Sequence, residues 1–223
     1  MQLKKIATIH TPFKEKFGIP RQSGMAEHLC RIVFEPEYRD ESALRGIEEY
    51  SHLWLIWQFS RVDENAPWRP TVRPPRLGGN KRMGVFATRS PYRPNPMGLS
   101  SVKLVGLESV PGQGITLLVE GADLMDGTPI FDIKPYLAFT DSHPDAVCGF
   151  ADRVYDHRLA VILPENTPFG DSDRRRLGDV LALDPRPSYQ DDPERVYGMI
   201  YGDYEVKFTV DGDTLTVTEI KEK

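Results

Sequence analysis

At 223 residues, with 39% hydrophobic and 27% charged residues, the chain is long enough to bury a core in one large domain, or in one domain with a small appendage. Its two cysteines, Cys30 and Cys148, lack CxxC spacing and its five histidines form no HExxH or HxH pattern, so metal and thiol-redox chemistry are not expected. A net charge of −5 speaks against a nucleic-acid partner taken alone, and no apolar run reaches the roughly 20 residues of a membrane span.

The N-terminal stretch MQLKKIATIHTPF has neither the apolar region nor the cleavage site of a signal peptide. A cytoplasmic protein with two reduced, buried thiols is therefore expected. Along the chain, short runs rich in Val, Ile, Leu and aromatic residues predict strands at Leu3–Ile9, Arg31–Phe34, His52–Phe59, Met83–Thr88, Ser100–Leu107, Ile115–Glu120 and Ile130–Tyr136. A helical turn is expected within Asp40–Tyr50, with Leu44 and Ile47 on one face. Neither G-x-G-x-x-G after a strand nor a P-loop occurs, which disfavours a dinucleotide-binding or nucleotide-hydrolysing domain.

Pro164–Gly170 reads as a linker or a boundary loop, followed by a helix capped by Ser172, carrying Leu177, Val180 and Leu181 and ended by Pro185 and Pro187. Tyr204–Val210 and Thr214–Ile220 alternate apolar and polar residues around Asp211-Gly212, which predicts a hairpin. Few helices and regular strand spacing favour a mainly β fold over residues 1–150, an antiparallel barrel or sandwich. Residues 151–223 form a small α+β appendage.

Three clusters carry the chemistry. From Asn65 to Leu107 there is no Asp or Glu, while Arg69, Arg73, Arg76, Lys81, Arg82, Arg89, Arg93 and Lys103 fall there. That local +8 leaves −13 elsewhere, a distribution that presents one segment to an anion. Within it lies the proline-rich run Thr88-Arg89-Ser90-Pro91-Tyr92-Arg93-Pro94-Asn95-Pro96. The Arg89 fork suits a carboxylate or phosphate, and Asn95 is fixed between prolines, so the run reads equally as a grip for a polar small molecule or as a solvated surface turn. The second cluster, Asp123-Leu124-Met125-Asp126-Gly127-Thr128-Pro129 with Asp132, Lys134 and Tyr136, reads as a turn or as a ligand-facing edge. Asp132 and Lys134 share a strand face and can pair there. The third, Pro20-Arg21-Gln22, is a weak signal alone.

Together these runs resemble the TrmO, or TsaA-like, family of tRNA adenosine N6-methyltransferases. The matching stretches are HTPFKEKFGIPRQ (His10–Gln22), YSHLWLIW (Tyr50–Trp57), the run from Trp68 to Ser100, DLMDGTPIFDIKPY (Asp123–Tyr136) and DPRPSY (Asp184–Tyr189). The resemblance implies a small single-sheet antiparallel β-barrel, working as a homodimer, that binds S-adenosylmethionine and methylates N6 of threonylcarbamoyl adenosine at position 37 of the tRNA anticodon loop. A non-catalytic S-adenosylmethionine-binding regulator is the alternative. By matching position it assigns Pro20, Arg21, Gln22, Ser60, Arg61, Arg89, Asn95, Pro96, Leu99, Asp126, Gly127, Thr128 and Pro129 to the cofactor. Ser60-Arg61 stands where the family has His-Gln. Asp126, Asp132, Lys134 and Tyr136 are, by residue type, the candidates for proton removal from N6, and Arg69, Arg73, Arg76, Lys81, Arg82 and Arg93 for tRNA contact. No metal or membrane is involved.

Overall fold

The computed structural model describes residues 2–63, 67–74, 81–153, 157–187, 190 and 192–223. The architecture is mainly β, as the strand signals predict. In chain order the strands begin with β1 (Ala7–His10), β2 (Leu29–Phe34) and β3 (His52–Gln58). A short pair β4 (Thr71–Val72) and β5 (Met83–Gly84) follows, then β6 (Met97–Val110), β7 (Gly114–Glu120) and β8 (Thr128–Pro135). After helix α1 (Ala138–Asp141) come β9 (Ala160–Ile162), helix α2 (Asp171–Ala182), β10 (Tyr197–Tyr201), β11 (Tyr204–Asp211) and β12 (Thr214–Glu222).

Six strands pair in the order β1-β2-β7-β6-β3-β8, and the β8–β1 pairing closes the sheet on itself. Closure leaves no open edge to recruit another chain. Alternation along each strand sends Ala7, Ile9, Ile32, Leu53, Leu55, Val102, Leu117, Val119 and Ile130 inward, where all are buried. Leu44 and Ile47 pack on this core from two 3₁₀ turns rather than one helical turn. Gly46, at φ +83°, separates them, and the Asp40 carboxylate caps the first by accepting from the Ser42 amide at 2.9 Å.

The C-terminal residues, expected as a small appendage, form a separate four-stranded sheet, β10-β11-β12-β9, against which α2 packs. The predicted hairpin is present, with Asp211 opposite Thr214. Pro164–Gly170 is not a linker between units. It joins β9 to α2 inside the second sheet's layer, and Phe169 packs edge-on against Tyr201 and Tyr204. Ser172 does not cap α2. The helix begins one residue earlier, behind Gly170, and has no side-chain cap. Leu177, Val180 and Leu181 are buried as the periodicity predicts.

Two further corrections bear on the site. The predicted strand Met83–Thr88 stops at Gly84 and continues as a 3₁₀ turn, Val85–Ala87. Thr88 closes that turn, its amide and hydroxyl both donating to the Val85 carbonyl. Of the two thiols only Cys30 is buried, which pushes its thiol pKa up to about 12, while Cys148 is exposed.

The cores of the two sheets meet through the loop between β1 and β2. Phe13 and Ala26 of that loop are buried among Leu177, Met199 and Phe208 of the C-terminal unit. His28, at the loop's end, is buried with its ring edge-on to Phe13 at 4.8 Å and Nε2 at 2.6 Å from the Ala122 carbonyl. Burial pushes the His28 imidazole down to about pH 4, and the Ala122 and Ala26 carbonyls offset only part of that. Its folded pKa thus lies below its ordinary value of 6.5, so the unfolded chain takes up the proton first. The contribution is complete above about pH 6.5 and is lost as pH falls from there toward 4. By pH 5 the loss amounts to about 2 kcal/mol. The melting temperature should fall between pH 7 and 5 in the native chain and fall less in His28→Gln. Parallel losses in both would assign the titration to other groups.

Candidate functional site

The β1–β2 loop, residues 11–28, is fixed at both ends. The Thr11 hydroxyl donates to the Leu124 carbonyl at 3.0 Å and accepts from the Phe13 amide at 3.2 Å. Gly24 donates its amide to Gly121 at 2.8 Å. Gly18, at φ +92°, passes so near Met199 that a Cβ would lie 2.5 Å from its methyl carbon, so glycine is required there on both counts. This path buries Pro20 and brings Arg21 and Gln22 to the wall of a cleft.

The opposing wall is the proline-rich turn. A ladder of side-chain bonds holds it: the Thr88 hydroxyl accepts from the Ser90 amide at 3.3 Å, and the Ser90 hydroxyl from the Tyr92 amide at 3.3 Å. Arg93 donates to the Thr88 carbonyl at 2.7 Å, with its guanidinium over the Phe86 ring. Phe59 donates its amide to Pro96 at 2.8 Å, tying the turn to the end of β3. Gly98 lies against the Trp57 indole, with no room for a Cβ. Across the cleft Arg89 donates to the Gln22 amide oxygen at 2.5 Å, so two of the three sequence clusters meet.

The cleft measures about 1780 Å³. Pockets for a drug-sized ligand run to about 1,000 Å³, so there is room for a cofactor and a second, larger group. Among the described residues its lining carries Lys16, Arg21, Arg69, Arg73, Arg82, Arg89 and Arg93 against one carboxylate, Asp63. Phe59, Trp68, Phe86, Tyr92 and Phe150 interleave with them. Trp68, Phe86 and Tyr92 are exposed, a surface that offers stacking platforms beside positive charge. Pro96 and the exposed Cys148 also line the cleft. Lys81 is exposed outside this lining, and Arg76 lies outside the described residues.

The remaining predicted residues are placed less uniformly. Ser60 and Arg61 follow Phe59, and the Arg61 carbonyl accepts from Lys16 at 3.2 Å. Asn95 is exposed, its carbonyl accepting from the Met97 amide at 2.7 Å. Leu99 is exposed on β6. The Asp126-Gly127-Thr128-Pro129 turn is bonded to β1 and is not among the lining residues: Gly127 donates its amide to Ile9 at 2.9 Å, and Pro129 pairs with Thr8. Burial raises the Asp126 carboxyl, but Lys14 at 3.1 Å, the Thr11 amide and His10 outweigh it and hold it below its ordinary value. Lys134 and Tyr136 stand at the other end of β8, Lys134 paired with Asp132 at 3.0 Å as alternation predicts and Tyr136 tilted on Trp54. Asp126 and Tyr136 thus flank opposite ends of one strand.

One set of bonds escaped the sequence reading. The Trp57 indole donates to the Ser100 hydroxyl at 3.0 Å, which donates to Asp123 at 2.5 Å. Burial raises the Asp123 carboxyl, and Ser100, backbone amides and the charge of Arg89 offset only part of that. The charge of Arg89 thus reaches the Asp123 carboxyl. Asp123 opens the second sequence cluster, while nothing local marks Trp57 and Ser100 as joined to it.

Comparison with known proteins gives consistent matches over this frame. The family model described as the tRNA-methyltransferase O N-terminal domain matches residues 8–142, and the TrmO C-terminal domain matches residues 171–223. The tRNA (adenine(37)-N6)-methyltransferase of Escherichia coli (strain K12) is 41% identical over 228 residues, covering 94% of this chain and 93% of its own. A Pseudomonas aeruginosa protein, named as a candidate S-adenosylmethionine-dependent methyltransferase, is 42% identical over 213 residues, 90% of this chain and 89% of its own. The crystal structure of TrmO from Pseudomonas aeruginosa superposes with a TM-score of 0.78 at 32% identity, covering 99% of this chain and 98% of that one.

Proposed function

The chain belongs to the tRNA-methyltransferase O family, and from that premise we propose that it transfers a methyl group from S-adenosylmethionine to N6 of threonylcarbamoyl adenosine at position 37 of tRNA. The observation that carries the reading is the cleft itself. A Gln22–Arg89 pair meets at its wall beside a basic and aromatic surface far larger than a cofactor needs.

The residues present fit the cofactor's chemistry. Its amino-acid end carries a carboxylate, which Arg89 can receive through a charge-assisted bond, and its adenine needs an apolar wall and amide partners, which Phe59, Pro96 and Gln22 supply. Bound there, the cofactor supplies an activated methyl group on a sulfonium. The protein's work would then be largely orientation, bringing N6 to that methyl group in a reactive pose. Trp68, Phe86 and Tyr92 would stack a base splayed from the anticodon loop, while Arg69, Arg73 and Arg82 track phosphates. Arg93, expected among these, is committed to the Thr88 carbonyl and serves the turn's shape.

N6 of the modified base is conjugated to the ring and to a carbonyl, so loss of its proton needs help. Asp126, held ionised by three donors, is a weak base, and with Lys134 and Tyr136 at the far end of β8 the three do not act as one cluster within a single chain. The proposal includes a homodimer acting in the cytoplasm. No helix among the described residues is long and apolar enough to cross a membrane.

Methyl transfer from labelled S-adenosylmethionine to bulk tRNA of cells lacking the protein, followed by nucleoside analysis, tests the reading. Label is expected in the N6-methyl form of threonylcarbamoyl adenosine. Cofactor binding with no label in any nucleoside would replace it with the non-catalytic regulator.

A further inference from the structure

The turn that ends α2 meets Arg21, a residue of the cleft wall, from the C-terminal unit. Asp184 has φ +51°, the one positive-φ residue other than glycine among the described residues. The left-handed conformation terminates the helix and is tolerated by Asp and Asn better than by most side chains. The Asp184 carboxylate then folds the next two residues back. It accepts from the Arg186 amide at 3.2 Å, from Nε at 2.9 Å and from Nη2 at 3.2 Å. Its other neighbour is His157, at 3.7 Å. Both side chains of the pair are largely buried, Asp184 at 14% and Arg186 at 9% exposed.

The result is two backbone carbonyls that converge on one nitrogen. Arg21 Nη2 donates to the Asp184 carbonyl at 3.0 Å and to the Arg186 carbonyl at 3.2 Å. A second strut runs from Arg158, which donates to the Met25 carbonyl at 2.7 Å. Arg21 is thus turned toward the C-terminal unit while its neighbour Gln22 is turned toward Arg89. We propose that Asp184-Pro185-Arg186 is a clamp that positions the Pro20-Arg21-Gln22 loop, with Arg21 acting as a strut to the C-terminal unit. The clamp rests on the reading of that loop as part of the cofactor site. It gives the second sheet a task in the first sheet's chemistry: without the hold on Arg21, Gln22 loses its fixed place opposite Arg89, and the cofactor must order the loop as it binds.

The test uses the full chain, with S-adenosylmethionine binding by calorimetry and steady-state methyl transfer to tRNA. Asp184→Ala should raise both Kd and KM for S-adenosylmethionine about 10-fold, with kcat and the KM for tRNA within about twofold of native. Asp184→Asn, which keeps the left-handed preference and an acceptor oxygen, should recover most of the loss. Arg186→Gln cuts the same chelate from the other side and serves if Asp184→Ala does not fold. Adding Asp184→Ala to Arg21→Met should change nothing further, because both break one strut. Full additivity of the two, or a folded Asp184→Ala that binds S-adenosylmethionine like native while Gln22→Ala binds it weakly, overturns the clamp and leaves the cofactor loop standing. Native binding in both Gln22→Ala and Arg89→Ala removes the cofactor reading of the loop and the clamp with it.

Discussion

Replacing Arg89 with alanine should weaken S-adenosylmethionine binding by about 10- to 100-fold and lower kcat/KM for methyl transfer by at least as much. The size follows from the bonds that one guanidinium makes. Hydrogen bonds to charged groups each change an equilibrium by about 10- to 100-fold when one partner is deleted. Arg89 donates to Gln22 and lends its charge to the half-buried Asp123 carboxyl. Deletion therefore does two things: the β1–β2 loop loses its tie across the cleft, and Asp123 keeps only Ser100 and backbone amides as partners. Lysine is a poor replacement. It brings a point charge without the planar fork, so Arg89→Lys should recover less than half of the loss on a logarithmic scale. Isothermal titration with S-adenosylmethionine measures the effect without tRNA. The Gln22→Ala and Arg89→Ala changes should be less than additive, since they share a bond. Native-like binding in Arg89→Ala would place the cofactor away from this wall.

The parts of this site that sequence reveals are those with a local cause. Proline removes backbone donors and fixes φ, so the run around Arg89 could be recognised as a built turn, and a long stretch without Asp or Glu announced an anion-facing surface. The hairpin at Asp211-Gly212 and the buried stripe Leu177, Val180, Leu181 were equally legible, because turn chemistry and helical period are short-range properties. What sequence did not reveal depends on contacts distant along the chain. Met83–Thr88 has the composition of a strand, but pairing with the short β4 ends at Gly84 and Thr88 bends the chain into a turn. The tie of Arg21 to Asp184 spans 163 residues, and that from Ser100 to Asp123 depends on how β6 and the loop between β7 and β8 bring a hydroxyl to a carboxylate. The Asp126-Gly127-Thr128-Pro129 run shows the converse. Its pattern is conspicuous, yet its bonds go to β1, Lys14 and His10 and not to the cleft lining.

The basic wall should separate from the cofactor wall by its response to salt. Arg69, Arg73 and Arg82 all line the cleft and are exposed, while Arg93 is held inward by the Thr88 carbonyl. Cations that neutralise phosphates release condensed counterions, so log K falls with log salt by about 0.7 for each contact to a single strand. Converting Arg69, Arg73 and Arg82 together to alanine should flatten that slope by about 2 and weaken tRNA binding about 10²-fold near 0.1 M salt. Affinity for S-adenosylmethionine should stay within about twofold, because none of the three bonds Gln22 or Arg89. Arg93→Ala should behave differently, loosening the turn and weakening the cofactor and tRNA together. Titrations of labelled tRNA at several salt concentrations, run beside calorimetry with the cofactor alone, distinguish these outcomes. An unchanged slope in the triple variant would mean that the phosphates are held elsewhere. Equal loss of both ligands would mean that the basic wall shapes the cleft instead of holding the nucleic acid. A flattened slope with native cofactor affinity would divide the cleft as its geometry does, with Gln22 and Arg89 on the donor side and an exposed, salt-sensitive face on the side of the acceptor.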